Sequence, residues 1–189
     1  MLTAITGGIG SGKSVVSQIL AAMGFRVYDC DREARKLMDS NAAIKTALCH
    51  EIHPDCVDAD GRIDRCRLSE IVFRDAHALE RLNGIVHAAV RSDLRDWCGR
   101  NSGHGRLFVE TAILYQSGLD AMVDNVWTVE APFDLRIERV MARNSLSREQ
   151  VLSRINSQDS YIPTTTHPSV ISLVNDGYYP ILPQIEKLL

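Results

Sequence analysis

Long hydrophobic runs are missing from this chain: no apolar stretch nears the roughly 20 residues that a bilayer-spanning helix needs. The N-terminus lacks a basic start, an apolar core and a small-residue cleavage site, so no secretory signal is expected. The five cysteines are odd in number and scattered, which excludes a disulfide framework and fits reduced thiols. These absences lead to the expectation of a cytoplasmic protein with no membrane partner. Internal repeats, low-complexity tracts and Pro-, Gly- or Ser-rich linkers are lacking too, so the 189 residues read as one globular body with room for insertions. Excess positive charge is also absent: a formal net charge of −3 argues against a general nucleic-acid binder. Lysine is scarce, confined to Lys13, Lys36, Lys45 and Lys187. The remaining basic residues are arginines, whose planar fork suits phosphates where lysine acts as a point charge.

Cys49, His50, His53 and Cys56 raise the question of zinc, but their spacing fits no common site and a helix end accounts for three of them. No metal is expected there.

What is present is a strand–helix–strand rhythm. LTAIT (2–6), RVYDC (26–30), RLFVET (106–111), NVWTVEA (125–131) and SVISLV (169–174) are short and largely apolar or β-branched, as buried parallel strands are. Between the first two lies a helix with Val15, Ile19 and Met23 on one side and Val16 and Leu20 beside them. The fold class this predicts is α/β: a core of about five parallel strands with helices on both faces. Two gaps interrupt it. Residues 32–104 read as helical, with Asp64 and Asp75 as N-caps, and residues 134–165 are rich in arginine.

The turn GGIGSGKS, Gly7 to Ser14, fits G-x-x-x-x-G-K-[ST] with a strand before it and a helix after. Glycines let successive N–H groups face phosphate oxygens, and the helix N-terminus adds its positive dipole end. Gly8, Ile9, Gly10, Ser11, Gly12, Lys13, Ser14 and Val15 are therefore the candidate nucleotide-binding residues. Lys13 would reach the β- and γ-phosphates, and the Ser14 hydroxyl would ligate Mg²⁺. A guanine-reading N-K-x-D tetrapeptide is absent. A small-molecule kinase needs an acceptor-side group, an acceptor pocket and closing positive charge. The second strand is expected beside the first, which would open Asp29 and Asp31 next to the loop. Asp31 would align or deprotonate the acceptor hydroxyl, or else cap the helix that follows it. In DLRIERVMARN, Arg136, Arg139 and Arg143 form one stripe of a helix, with Arg139 and Arg143 the candidates for stabilising the transferring phosphoryl. Ser147 and Gln150 spell a capping box, with Leu146 and Val151 as its staple. Glu110, near the end of a central strand, would serve a metal-bound water or the acceptor, or be a structural carboxylate. His87 has no assignment from spacing beyond a structural one.

With these parts in view the sequence resembles the dephospho-coenzyme A kinases. TGGIGSGKS matches their phosphate loop, and VYDCDREAR resembles V-I-D-A-D-x-x-A-R. DGRIDRCRLSEIVFRD and LNGIVHAAVR follow two further stretches, and ERVMARNSLSREQVLSRINSQ follows the lid pattern ending in R-I-x-x-Q. The resemblance implies ATP-dependent phosphorylation of the ribose 3′-hydroxyl of dephospho-coenzyme A, the last step of coenzyme A synthesis. It implies Mg²⁺ as cofactor and ATP and dephospho-coenzyme A as partners, in a monomer or small homo-oligomer. It makes Asp31 the catalytic base and Arg35 a substrate-side arginine and puts His87 and Arg91 near the acceptor; Asp29, which would support Asp31 or a metal-bound water, and Glu110 are expected on the same acceptor side. It also implies three parts: a P-loop core (1–31, 105–133 and 166–189), a helical acceptor subdomain (32–104) and a lid (134–165). Departures from the family pattern are Ala88 for Pro, Glu110 for Asp, Ala112 for Pro, Gln116 for Glu and the stretch after Gln158. There the last lid helix is expected to stop early, at Pro163. Another small-molecule kinase, or a nucleotide-binding regulator without transfer, are the alternatives.

Overall fold

Five strands alternate with helices in the computed structural model, which describes residues 1–159, 161 and 163–189. The strands are β1 (Leu2–Thr6), β2 (Arg26–Asp29), β3 (Leu107–Glu110), β4 (Asn125–Glu130) and β5 (Val170–Val174). All four pairings are parallel, in the order β2-β3-β1-β4-β5. The expectation that β2 neighbours β1 is thus corrected: β3, from the far side of the helical insertion, lies between them. The apolar run of β3 explains its central place, since Leu107, Phe108 and Val109 are all buried. β2 takes the edge, where Arg26 is exposed.

Eight helices accompany the strands among the described residues: α1 (Lys13–Ala22), α2 (Cys30–Ser40), α3 (Ala42–Glu51), α4 (Arg65–Arg74), α5 (Ala76–Arg100), α6 (Phe133–Asn144), α7 (Arg148–Asp159) and α8 (Ile181–Glu186). The chain divides into two compact units, residues 1–29 with 101–189, and residues 30–100.

In the first unit α1 and α8 lie on one face of the sheet. Val16 and Leu20 of α1 and Ile185 of α8 bury against Ile5, Phe108, Trp127, Val129 and Leu173. Of the two stripes expected on α1, Val16 and Leu20 face the core with Ile19 beside them, whereas Val15 and Met23 are exposed. A ten-residue helix on a sheet buries one narrow stripe, and the fully buried pair sets its phase. Phe108 anchors this core through an edge-on contact with Phe25 and a tilted one with Trp127. On the other face Ala4, Val109 and Val126 are buried as the strand alternation requires.

α6 and α7 belong to this unit and form a helical hairpin with its own small core of Ile137, Val140, Val151 and Ile155. Its turn carries the capping box read from the sequence. The Gln150 N–H donates to Ser147 Oγ at 3.3 Å, and the Ser147 N–H donates to Gln150 Oε1 at 2.9 Å. Leu146 packs with Val151 in the same core, as a staple should. α7 ends at Asp159, before Pro163, while Ser160 and Ile162 of the stretch flagged in the sequence lie outside the described residues.

The second unit is helical, apart from one antiparallel bridge between Val57 and Ile63. α5 runs along α2, α3 and α4, closing a core of Ile44, Leu48, Cys56 and Leu68 with Leu82, Ile85 and Ala89. The Asp64 carboxylate caps α4 by accepting the Arg67 N–H at 2.9 Å, and the Asp75 carboxylate accepts the His77 N–H at 2.8 Å at the start of α5.

Candidate active site

The loop between β1 and α1 is built on backbone that only glycine tolerates. Gly10 and Gly12 have φ of 81° and 99°. A side chain would also collide with protein, because a Cβ on Gly10 meets the backbone carbonyl of Arg136 and one on Gly12 meets the Asn175 amide. The glycines are thus required by neighbours packed on the loop as well as by anything bound in it. Gly12 is the N-cap of α1 and offers no side-chain cap. The first N–H groups of a helix have no intrahelical acceptor, so this end, with no acidic residue in its first turn, suits an anion.

Lys13 leads α1 and folds over the loop, its Nζ donating to the carbonyls of Gly7 at 2.9 Å and Gly8 at 3.1 Å. Ser14 follows, exposed, with a hydroxyl suited to a hard cation such as a divalent metal. Two carboxylates share the same strand ends. Ile5, one residue before Thr6, is in register with Glu110, which is in register with Asp29. Among the described residues no group of three or more His, Cys, Asp or Glu forms a metal cage. The Cys49, His50, His53 and Cys56 group accordingly forms no such cage. Cys56 is buried in the helical core and Cys49 Sγ donates to the Pro54 carbonyl at 3.6 Å.

Side chains from three later segments hold the loop. From α6, Arg136 Nε donates to the Ile9 carbonyl at 2.9 Å. From α7, Gln158 Oε1 accepts the Ile9 N–H at 2.7 Å while its Nε2 donates to the carbonyls of Ala112 at 2.8 Å and Gly7 at 3.4 Å. After β5, Asn175 Nδ2 donates to the Ser11 carbonyl at 2.8 Å, and Arg139 Nη1 donates to the Asn175 carbonyl at 2.9 Å. The stripe of arginines therefore splits. Arg136 and Arg139 reach the loop or its brace, whereas Arg143 is exposed and its Nε donates to Asn144 Oδ1 at 2.7 Å.

Sequence reasoning assigned no role to Arg136, Gln158 or Asn175. Gln158 closes the R-I-x-x-Q of the resemblance, the one available signal, but hydrogen bonds to backbone leave no spacing rule to find. A cleft of about 400 Å³ opens along this loop, lined by Thr6, Gly7, Ala112, Tyr115, Gln116 and Gln158 among others. The altered stretch beyond α7 is fastened near it: the His167 N–H donates to the Tyr115 hydroxyl at 3.3 Å. The His167 ring bridges Ser169 and Val123, its Nδ1 3.1 Å from the Ser169 N and its Nε2 3.2 Å from the Val123 carbonyl oxygen.

The remaining sequence candidates lie in the helical unit. Asp31 stands second in α2, exposed, two residues beyond the end of β2, and within the first turn rather than ahead of it. The position differs from that of a capping aspartate such as Asp64. Arg35 is exposed one turn on. His87 and Arg91 are one turn apart on α5, which packs on α2. His87 is half-buried, and burial, with the Arg91 charge second, holds its pKa below the ordinary 6.5. It is thus kept as a neutral imidazole, one donor and one acceptor. Of the described residues, none makes a helix long and apolar enough to cross a membrane.

Comparison with known proteins agrees along the chain. A family model described as "Dephospho-CoA kinase" matches residues 1–178. A dephospho-CoA kinase of Bacteroides fragilis is 37% identical over 185 residues, covering 98% of this chain and 89% of that protein. One from Porphyromonas gingivalis is 37% identical over 186 residues, covering 98% and 91%. Among solved structures, a Thermus thermophilus protein superimposes with a TM-score of 0.79 at 32% identity, covering 100% and 95%. A dephospho-CoA kinase from Campylobacter jejuni does so at 0.67 and 25% identity, covering 99% and 94%.

Proposed function

The chain belongs to the dephospho-CoA kinase family, transferases that use ATP to phosphorylate dephospho-CoA in coenzyme A biosynthesis, and we propose that it acts on the ribose 3′-hydroxyl. The observation that carries this reading is the phosphate loop. Gly12 leaves the start of α1 uncapped, Lys13 and Ser14 stand on that start, and Glu110 and Asp29 line up at the adjoining strand ends.

In the proposed mechanism the triphosphate lies along Gly8–Val15, where N–H groups and the α1 dipole offset its charge. Lys13 exchanges its two carbonyl acceptors for phosphate oxygens, which a flexible ammonium with three donors does readily. Mg²⁺ on the triphosphate supplies charge neutralisation, and the oxygen donors present fit it, with Ser14 as its ligand and Glu110 serving its water shell. Asp31 aligns the 3′-hydroxyl and accepts its proton. Arg139 and Arg143 stabilise charge on the transferring phosphoryl, Arg143 after leaving Asn144. Asp29, Arg35, His87 and Arg91 hold the acceptor: the arginines meet its phosphates, and the neutral His87 its hydrogen-bonding groups. Residues 30–100 then act as the acceptor subdomain and α6–α7 as the lid that excludes water. The expected setting is the cytoplasm, as a monomer or small homo-oligomer with no nucleic-acid partner.

The test is an acceptor panel with Mg²⁺-ATP, the product phosphate located by ³¹P NMR. Phosphorylation of dephospho-CoA at the 3′-position, with adenosine and AMP far poorer, is expected. Equal turnover of any hydroxyl acceptor would sink the assignment.

A further inference from the structure

The Ile9 peptide is gripped on both sides. Its N–H is taken by Gln158 Oε1 from α7 at 2.7 Å, and its C=O by Arg136 Nε from α6 at 2.9 Å. Its side chain packs against the Ile137, Val140, Val151 and Ile155 core between those two helices. Gln158 also donates to Gly7 and Ala112, so it spans the loop's start and the segment after β3. The other half of the loop is held differently, by Asn175 on the Ser11 carbonyl. Arg136 has one more feature. Its Nη2 is buried with no hydrogen-bond partner among the described residues, and it lies where a Cβ on Gly8 would fall. A buried guanidinium donor without an acceptor is costly and needs an explanation. A phosphate oxygen above Gly8 supplies one.

We propose that Arg136 and Gln158 form a latch on the Ile9 peptide, through which the α6–α7 hairpin sets the shape of the phosphate loop, with Arg136 Nη2 turning to the bound phosphates. A hairpin attached at one residue by two hydrogen bonds and a packed side chain cannot change its angle without moving that residue. Lid position and loop geometry are therefore one variable. Gln158 is a positioning residue acting through Ile9, while Arg136 positions the loop and donates to the nucleotide. The inference rests on the nucleotide-binding part of the proposed function and not on the identity of the acceptor.

The test uses the full chain and reads amide hydrogen exchange across residues 6–12, ATP affinity by titration, and the KM values for both substrates. One hydrogen bond of this kind corresponds to about a tenfold effect. Gln158→Ala should speed exchange at Ile9 about tenfold and weaken ATP about tenfold, with the KM for dephospho-CoA within about twofold of wild type. Arg136→Met should weaken ATP further, and Arg136→Lys should recover part of the loss, since one ammonium cannot serve Ile9 and a phosphate as the fork does. If Gln158→Ala fails to fold, Gln158→Glu keeps the Ile9 acceptor and loses both donations. It should retain Ile9 protection yet bind ATP more weakly. Unchanged loop exchange together with unchanged ATP affinity in the folded variants would overturn the proposal. Exchange and ATP titration need no acceptor, so a chain that binds ATP but ignores dephospho-CoA would fail the kinase reading and leave this test intact.

Discussion

In the phosphate loop the working groups are mostly backbone, held by side chains that reach in from α6, α7 and the end of β5. In the helical unit 30–100 the groups proposed to hold the acceptor are side chains, standing exposed or half-buried on α2 and α5. The first arrangement fixes a shape before any ligand arrives, which suits phosphates, the constant part of every ATP. The second leaves rotamers to be set by the ligand, which suits an acceptor recognised by several separate groups. Damage to the loop should then disturb everything that depends on ATP. Damage to the helical unit should separate the acceptor from ATP.

The sharpest separation is expected at Asp31. Asp31→Asn should lower kcat by up to about 10⁴-fold, in the range a positioned general base contributes, with ATP affinity unchanged by titration. A comparable loss of ATP binding would erase the contrast between the regions. Lys13→Met comes next, with kcat/KM for ATP down by about 10²–10³-fold in steady-state assays and the KM for the acceptor little altered. Gly12→Ala combines a φ of 99° with a Cβ driven into the Asn175 amide. It should cost about 1–3 kcal/mol in denaturant unfolding and weaken ATP as well.

His87→Gln should raise the acceptor KM about tenfold, the worth of one or two hydrogen bonds, and leave the ATP KM in place. It also has a pH signature. Because burial and Arg91 hold the folded-state pKa below 6.5, the unfolded chain binds that proton more readily. Wild-type stability should therefore fall as pH drops through 6.5 and below, and the His87→Gln variant should lose less. Melting temperatures at pH 8 and pH 5.5 check the sign. The smallest effect is Ser147→Ala, which removes the acceptor of the Gln150 N–H and should cost about 1 kcal/mol in unfolding with catalysis nearly intact.

The same contrast explains what could be read in advance. Strands, the glycine turn and the Ser147–Gln150 box are local patterns whose physics fits within a few residues, and the structure places all of them. The position of β2 at the edge was not legible, because strand order depends on which strand can be buried on both faces after a long insertion. Which stripe of α1 is buried was not legible for a related reason: both are apolar, and only the sheet decides that Val16 and Leu20 are covered while Val15 and Met23 are exposed. Arg136, Gln158 and Asn175 bond to main chain far away in sequence, between 127 and 164 residues for the bonds to Ile9 and Ser11. A partner that is backbone has no residue type to recognise. Arg143 illustrates the converse, since it keeps the helical spacing of its neighbours yet pairs with Asn144 next door.

The measurement that tests the central claim most directly is ADP release by the wild-type chain from Mg²⁺-ATP, with and without dephospho-CoA. Release that depends on dephospho-CoA, one ADP for each coenzyme A formed, is the predicted result. Tight ATP binding with no acceptor-dependent release would contradict it.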